Sequence, residues 1–224
     1  MAKTNAPTLL TPAGISIWPK LNEPDTKFNA AGEFHTKIAY DADDDSVKAF
    51  VAKLEKIRDD FYDATVQRLI DEKKAGKAKN LKKLDVAKAE LDEETGDETG
   101  RILLNAKLKH KVVTKTGKSW EQKPDFFNAQ KVALKNPPRI GSGSKLRLFV
   151  EANPYLRETD GVVGVSLRLK AVQIITLVTG GARSADQYGF DEEDGDVIGD
   201  AEPVAGGDDD APFDADDNAD HDDI

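Results

Sequence analysis

Residues 1–183 predict a mostly β fold with one prominent α-helix, and three observations carry that expectation. Short runs of alternating apolar and polar residues recur between turn-forming Gly, Pro, Asn and Asp, the pattern of half-buried strands. One long segment, from Ser46 to Lys74, changes to helical spacing. After Gly181 the composition collapses to Asp, Glu, Gly and Ala. Such a segment buries too little apolar surface to offset the entropy of ordering, so residues 182–224 are expected to form a disordered acidic tail.

Taken in order, residues 1–14 are polar with two prolines and are expected to be a flexible arm. Ile15, Ser16, Ile17 and Trp18 make a first strand that Pro19 should close, followed by a loop over Leu21–Ala31. Phe34 to Tyr40 reads as a second strand with Phe34, Thr36, Ile38 and Tyr40 on one face. The carboxylates of Asp41–Asp45 can cap the helix that follows. In it, Val47, Phe50, Val51, Leu54, Ile57, Phe61, Leu69 and Ile70 approximate i, i+3, i+4 spacing, and Gly76 marks its end. Residues 78–94 place Leu81, Leu84 and Leu91 at rough helical spacing among charges, which suggests a second, surface helix inserted between strands, or else a linker. Ile102 to Val113 is a third strand, with Leu104, Ala106, Leu108 and Val112 facing in and Lys107, Lys109 and Lys111 facing out. Thr114–Lys118 is a hairpin turn, and Trp120 lies on the return strand. Phe126, Phe127, Val132 and Leu134 are expected to pack in the core or at an edge.

The stretch from Gly141 to Gly181 supplies two further strands. In the first, Leu146, Leu148 and Val150 alternate with Lys145, Arg147 and Phe149; in the second, Val165, Leu167, Leu169 and Ala171 alternate with Ser166, Arg168 and Lys170. One face is aliphatic and the other cationic. Tyr155, between Pro154 and Arg157, is placed in the loop joining them. Five β-segments with one helix set between strands, where it can cover an open end, give an OB-fold, a five-stranded Greek-key barrel, over residues 15–181.

Charge is unevenly distributed. All 32 Lys and Arg lie in residues 1–183, while 17 of the 42 Asp and Glu lie after them, so a body near +7 carries a tail of −17. Taken whole, the chain is acidic at −10 and points away from nucleic acid; the segmented count points towards it. The chain has no cysteine, which excludes disulfides and thiolate metal sites. The N-terminus lacks the apolar run of a signal peptide, and no run approaches a membrane span, so the expectation is a soluble, intracellular protein without membrane contact. His35, His110 and His221 have no metal-ligand or catalytic spacing, and Gly141–Lys145 lacks phosphate-loop spacing and leads into a strand. No enzyme, metal or cofactor is expected.

The cationic positions Lys107, Lys109, Lys111, Lys145, Arg147, Arg168 and Lys170 share the outward phase of three strands, with Glu151 the only acid in phase. A solvated face usually mixes signs, so this one reads as a track for phosphates. Trp18, Trp120, Phe149 and Tyr155, with Arg157 beside the last, fall on outward phases or in loops and could stack bases. In the tail, Asp208, Asp209, Asp210, Phe213, Asp222, Asp223 and Ile224 combine charge with apolar anchors suited to a basic pocket on a partner, and the tail as a polyanion can occupy the basic face itself. The residues leave open an RNA-binding chaperone on the same fold, since only 2′-hydroxyl contacts separate the two polymers, and a DNA mimic that sequesters a basic host protein through its tail.

The elements GSGSKLRLFV, NPYL and GVSLRLKAVQIITLV, followed by Gly-Gly and an acidic terminus, resemble the single-stranded DNA-binding proteins of T-seven-like podoviruses. The resemblance follows the order of elements over most of residues 15–181 and is specific in 141–181. It implies a non-enzymatic protein of phage DNA replication, recombination and annealing, working in the cytoplasm of the infected host. It also implies that Tyr155 stacks on DNA beside Lys145 and Arg147. By the same resemblance, the tail docks the phage DNA polymerase and helicase-primase, shields the DNA groove and supports a homodimer. Where the family's best-known tail ends in an aromatic, this one ends in Ile224.

Overall fold

The computed structural model describes residues 6–27, 29–114 and 116–179. Among these are eleven strands and two helices. The strands are β1 (Thr8–Leu10), β2 (Gly14–Asp25), β3 (Glu33–Asp41), β4 (Lys82–Lys83), β5 (Lys88–Leu91), β6 (Glu98–Lys109), β7 (Lys111–Val113), β8 (Ser119–Glu121), β9 (Asp125–Phe127), β10 (Lys145–Arg157) and β11 (Val162–Thr176). The helices are α1 (Asp45–Asp71) and α2 (Ala75–Lys79). Five long strands set the architecture through their pairings: β2 with β3, β3 with β6, and β10 with both β11 and β2 run antiparallel, whereas β6 with β11 runs parallel. Each of the five therefore has two long neighbours. β7 and β8 form a separate two-stranded hairpin.

The alternation read from the sequence places the core. Phe34, Thr36, Ile38 and Tyr40 of β3 are all buried, as are Leu104, Ala106 and Leu108 of β6 and Leu146, Leu148 and Val150 of β10. The long helix begins one residue earlier than Ser46 because Asp44 caps it: its carboxylate accepts from the Ser46 N–H at 2.7 Å and the Val47 N–H at 3.3 Å. Val47, Phe50 and Leu54 sink into the strand core, where each buried side chain contributes about 1.5–3 kcal/mol. Farther along, Leu69 joins a second small cluster with Ala78 and Leu81, while Ile70 is exposed. The helix ends at Asp71 and not at Gly76, which lies inside α2.

Several expectations are corrected. Within the expected flexible arm, Thr8–Leu10 pair with Glu151–Phe149 of β10 as an edge strand. Pro19 does not close the first strand. Trp18 takes a left-handed φ of 48°, and the pairing steps from Ile17↔Lys37 to Lys20↔His35, so a bulge absorbs the proline and β2 continues to Asp25. Residues 78–94 are not a helical insertion. Beyond α2 they lie down as β4, parallel to β11, and β5, antiparallel to β6. Arg58 of α1, 8% exposed, fixes this path by donating from a terminal nitrogen to the Leu84 carbonyl at 3.1 Å. The third strand breaks at His110, so Lys111 and Val112 belong to the β7–β8 hairpin. Tyr155 is not in a loop: β10 runs through Pro154 to Arg157, and Tyr155 lies opposite Gly164. A bulge opposite Phe149 and Val150 skips Lys170, which turns Ala171 outward and gives the inner positions to Val172 and Ile174.

Candidate nucleic-acid interface

The outward phases of β3, β5, β6, β10 and β11, with the β8 side of the hairpin, enclose an open groove of about 900 Å³. Of the residues singled out from the sequence, Lys107, Lys109, Trp120, Tyr155 and Arg168 line it. Lys37, Lys88, Asn105, Gln122 and Asn153 line it too. Lys37 was legible, since it stands in antiphase to Phe34, Thr36, Ile38 and Tyr40. Lys88 was hidden by the helical reading of its segment. The five groove cations Lys37, Lys88, Lys107, Lys109 and Arg168 face two carboxylates, Glu33 and Asp85.

Register explains how the cations meet. Arg168 lies beside Lys107 across the parallel β11–β6 pair, and Lys37 lies opposite Asn105 across β3–β6. Like charges on neighbouring strands repel unless an anion joins them. Carboxylates flank this pair on both sides. Glu33 accepts from Lys107 Nζ at 2.8 Å, and Glu151, Arg168's partner across β10–β11, approaches Arg168 at 4.0 Å and Lys170 at 3.2 Å. The face is therefore more mixed in sign than strand phase alone indicated. Lys37, Lys88 and Lys109 have no ion pair among the described residues.

The hairpin bearing Trp120 is tied to this row by one side chain. Gln122 donates from Nε2 to the Lys109 carbonyl at 2.7 Å, and its Oε1 accepts from Arg168 at 3.1 Å. The His110 ring stands edge-on to Phe34 at 5.6 Å between centroids, which packs the hairpin base onto the core. Trp120 is left half-exposed beside the groove.

Seven predicted residues do not line the groove. Lys111 is exposed on the hairpin. Arg157 is held by Asp160 at 2.7 Å in the β10–β11 turn, and that hydrogen-bonded ion pair keeps the Asp160 carboxyl below the usual carboxylate range. Lys170 is paired to Glu151. Lys145, Arg147 and Phe149 continue the outer face of β10 past Glu151, and Arg147 Nε is buried without a hydrogen-bond partner among the described residues. Trp18 stands 76% exposed on the β2 bulge, its backbone N–H donating to Ser142 Oγ at 2.9 Å. The tail positions Asp208, Asp209, Asp210, Phe213, Asp222, Asp223 and Ile224 lie outside the described residues. Among those that are described, no helix is long and apolar enough to cross a membrane, and no three His, Asp or Glu gather as a metal site.

Residues 15–177 match the family described as single-stranded DNA-binding protein, bacteriophage T7. Among solved structures, gp2.5, a single-stranded DNA-binding protein encoded by bacteriophage T7, is similar with a TM-score of 0.61 at 19% identity, covering 87% of this chain and 100% of that one. The single-stranded DNA-binding protein of bacteriophage Enc34 in complex with single-stranded DNA gives a TM-score of 0.42 at 12% identity, over 78% of this chain and 97% of that one. No curated protein sequence matches. With the family match spanning nearly all of the folded body, the chain belongs to the single-stranded DNA-binding protein family of bacteriophage T7.

Proposed function

We propose that the chain is a non-enzymatic single-stranded DNA-binding protein that serves phage DNA replication, recombination and annealing in the host cytoplasm. The observation that carries this reading is the juxtaposition of Lys107 and Arg168 on adjacent strands in a groove that also holds Trp120 and Tyr155. Two neighbouring cations call for an anion between them, and rings beside a cationic track are how sequence-tolerant binders hold a single strand. Phosphates run along Lys37, Lys107, Lys109 and Arg168, and bases stack on Tyr155 and Trp120. Lys145, Arg147 and Phe149 extend the track along β10, with Trp18 beyond. The body over 15–181 is an OB-fold barrel, a reading supported by the way the pairings of β2, β3, β6, β11 and β10 return to their start. The acidic tail gates the groove as a competing polyanion and recruits the phage polymerase and helicase-primase, and the protein forms a homodimer.

The test is fluorescence anisotropy of a labelled ~25-mer with the full chain and with residues 1–181, at two salt concentrations, with duplex and RNA as competitors. The expected result is salt-sensitive binding selective for single-stranded DNA, which tightens on truncation. Equal competition by RNA would favour an RNA chaperone. No binding by either protein would overturn the reading and leave the tail as a DNA mimic to be tested.

A further inference from the structure

Glycine weakens a strand interior, because it offers no side chain to pack and gives up the most backbone freedom on folding. Gly14 and Gly164 nevertheless occupy paired strand positions, and neither has the left-handed φ that would require glycine. Gly14 is explained by core packing. A Cβ there would fall 2.4 Å from Ile38 Cγ2 and 2.6 Å from Tyr40 Cε1, both buried side chains. Gly164 is different. A Cβ there would lie 2.7 Å from Tyr155 Oη, 2.8 Å from Cζ and 3.1 Å from Cε1, so its three nearest neighbours are atoms of one groove-lining ring.

This geometry fixes the pose of the ring. A tyrosine standing straight off the sheet carries its hydroxyl away from the facing residue of the next strand, whereas here the hydroxyl occupies the place that residue's side chain would fill. Tyr155 thus leans across β11, half-buried. We propose that Gly164 is a positioning residue of the nucleic-acid site: its missing side chain lets Tyr155 lie down on the sheet, holding the ring as a platform in the groove wall before a strand arrives. Any larger residue at 164 lifts the ring. The assignment rests on the single-stranded DNA reading, and its energetic content is preorganisation, since a ring already held in place loses less freedom on stacking.

Gly164→Ala is a clean probe, because alanine suits the backbone at 164 and is better than glycine in a strand. The full chain, G164A, Y155A and the double variant are compared by anisotropy with the ~25-mer and by thermal melting. A stacked base is worth about 1–3 kcal/mol, or roughly 5- to 150-fold in affinity. G164A is expected to lose a large part of that factor, while in the Y155A background the same substitution leaves affinity unchanged. Its melting temperature should fall in the parent, where Ala displaces the ring, and rise in Y155A, where the space is empty. Wild-type affinity of G164A, or the same loss with and without Tyr155, would overturn the assignment and leave the binding function standing. A parent chain that binds no single-stranded DNA would overturn both.

Discussion

Glu151 lies outside the groove lining but acts on one of its cations, Arg168. It is four-fifths covered, lies opposite Arg168 across the ladder, and holds Lys170 at 3.2 Å and Arg168 at 4.0 Å. In the proposed complex, a phosphate drawn to Arg168 competes with this carboxylate. E151Q is expected to tighten single-strand binding at low salt. It should also steepen the slope of log affinity against log salt by as much as ~1.4, since each freed cation adds ~0.7 for single strands. An unchanged slope would mean that phosphates do not reach Arg168 and Lys170. At this scale the sequence is informative wherever phase alone decides, as at Lys107, Lys109 and Arg168. It is silent where a residue's role depends on what lies across the ladder. The carboxylate of Glu33 neutralises Lys107 from another strand, 74 residues away, and nothing local to the lysine announces this, whereas Asp160, which holds Arg157, stands only three residues after it.

At the scale of elements, the inner face of β3 combines apolar packing with one costly group. Tyr40 is 3% exposed, and its hydroxyl has no hydrogen-bond partner among the described residues; Thr11 lies near but out of bonding geometry. Burial pushes its ionisation up to about 12, slightly tempered by that neighbour, against about 10 in an unfolded chain. The sign follows from proton release. Between about pH 10 and 12 the unfolded chain loses a proton that the folded chain keeps, so Tyr40's contribution is full below pH 10 and declines through that window by about 2–3 kcal/mol. Y40F should show a shallower alkaline decline in urea-denaturation stability, and should match or exceed the parent at neutral pH. An identical decline would contradict the buried state of this ring. The long helix and the inner faces of β3, β6 and β10 were legible because period and burial agree. The 78–94 segment was not. Its leucines fit a helix as well as they fit strands, and the deciding contacts come from Arg58 in α1, from β11 and from β6. The bulges at Trp18 and Lys170 were equally hidden, since an extra residue in a ladder shows only once its partner strand is in place.

For the whole molecule, a cationic body and a strongly acidic tail read as two opposed charges in one chain, and the order of elements carried the family resemblance over most of the body. The composition could not say how the outward residues divide. Lys107, Lys109, Trp120, Tyr155 and Arg168 share a groove, whereas Trp18, Lys145, Arg147 and Phe149 lie outside it, with Glu151 in sequence between Phe149 and Tyr155. That division depends on a hairpin folding over one end of the sheet, with Gln122 tying its base to Arg168. The most direct measurement is photo-crosslinking of a 5-iodouracil-substituted single-stranded oligonucleotide to the full chain, with the attached residues mapped by mass spectrometry. Attachment is expected first at Tyr155 and Trp120, suppressed by unlabelled single strand and not by duplex. Attachment confined to Trp18 and Phe149, or to the aromatics of α1, would contradict the placement of DNA in this groove.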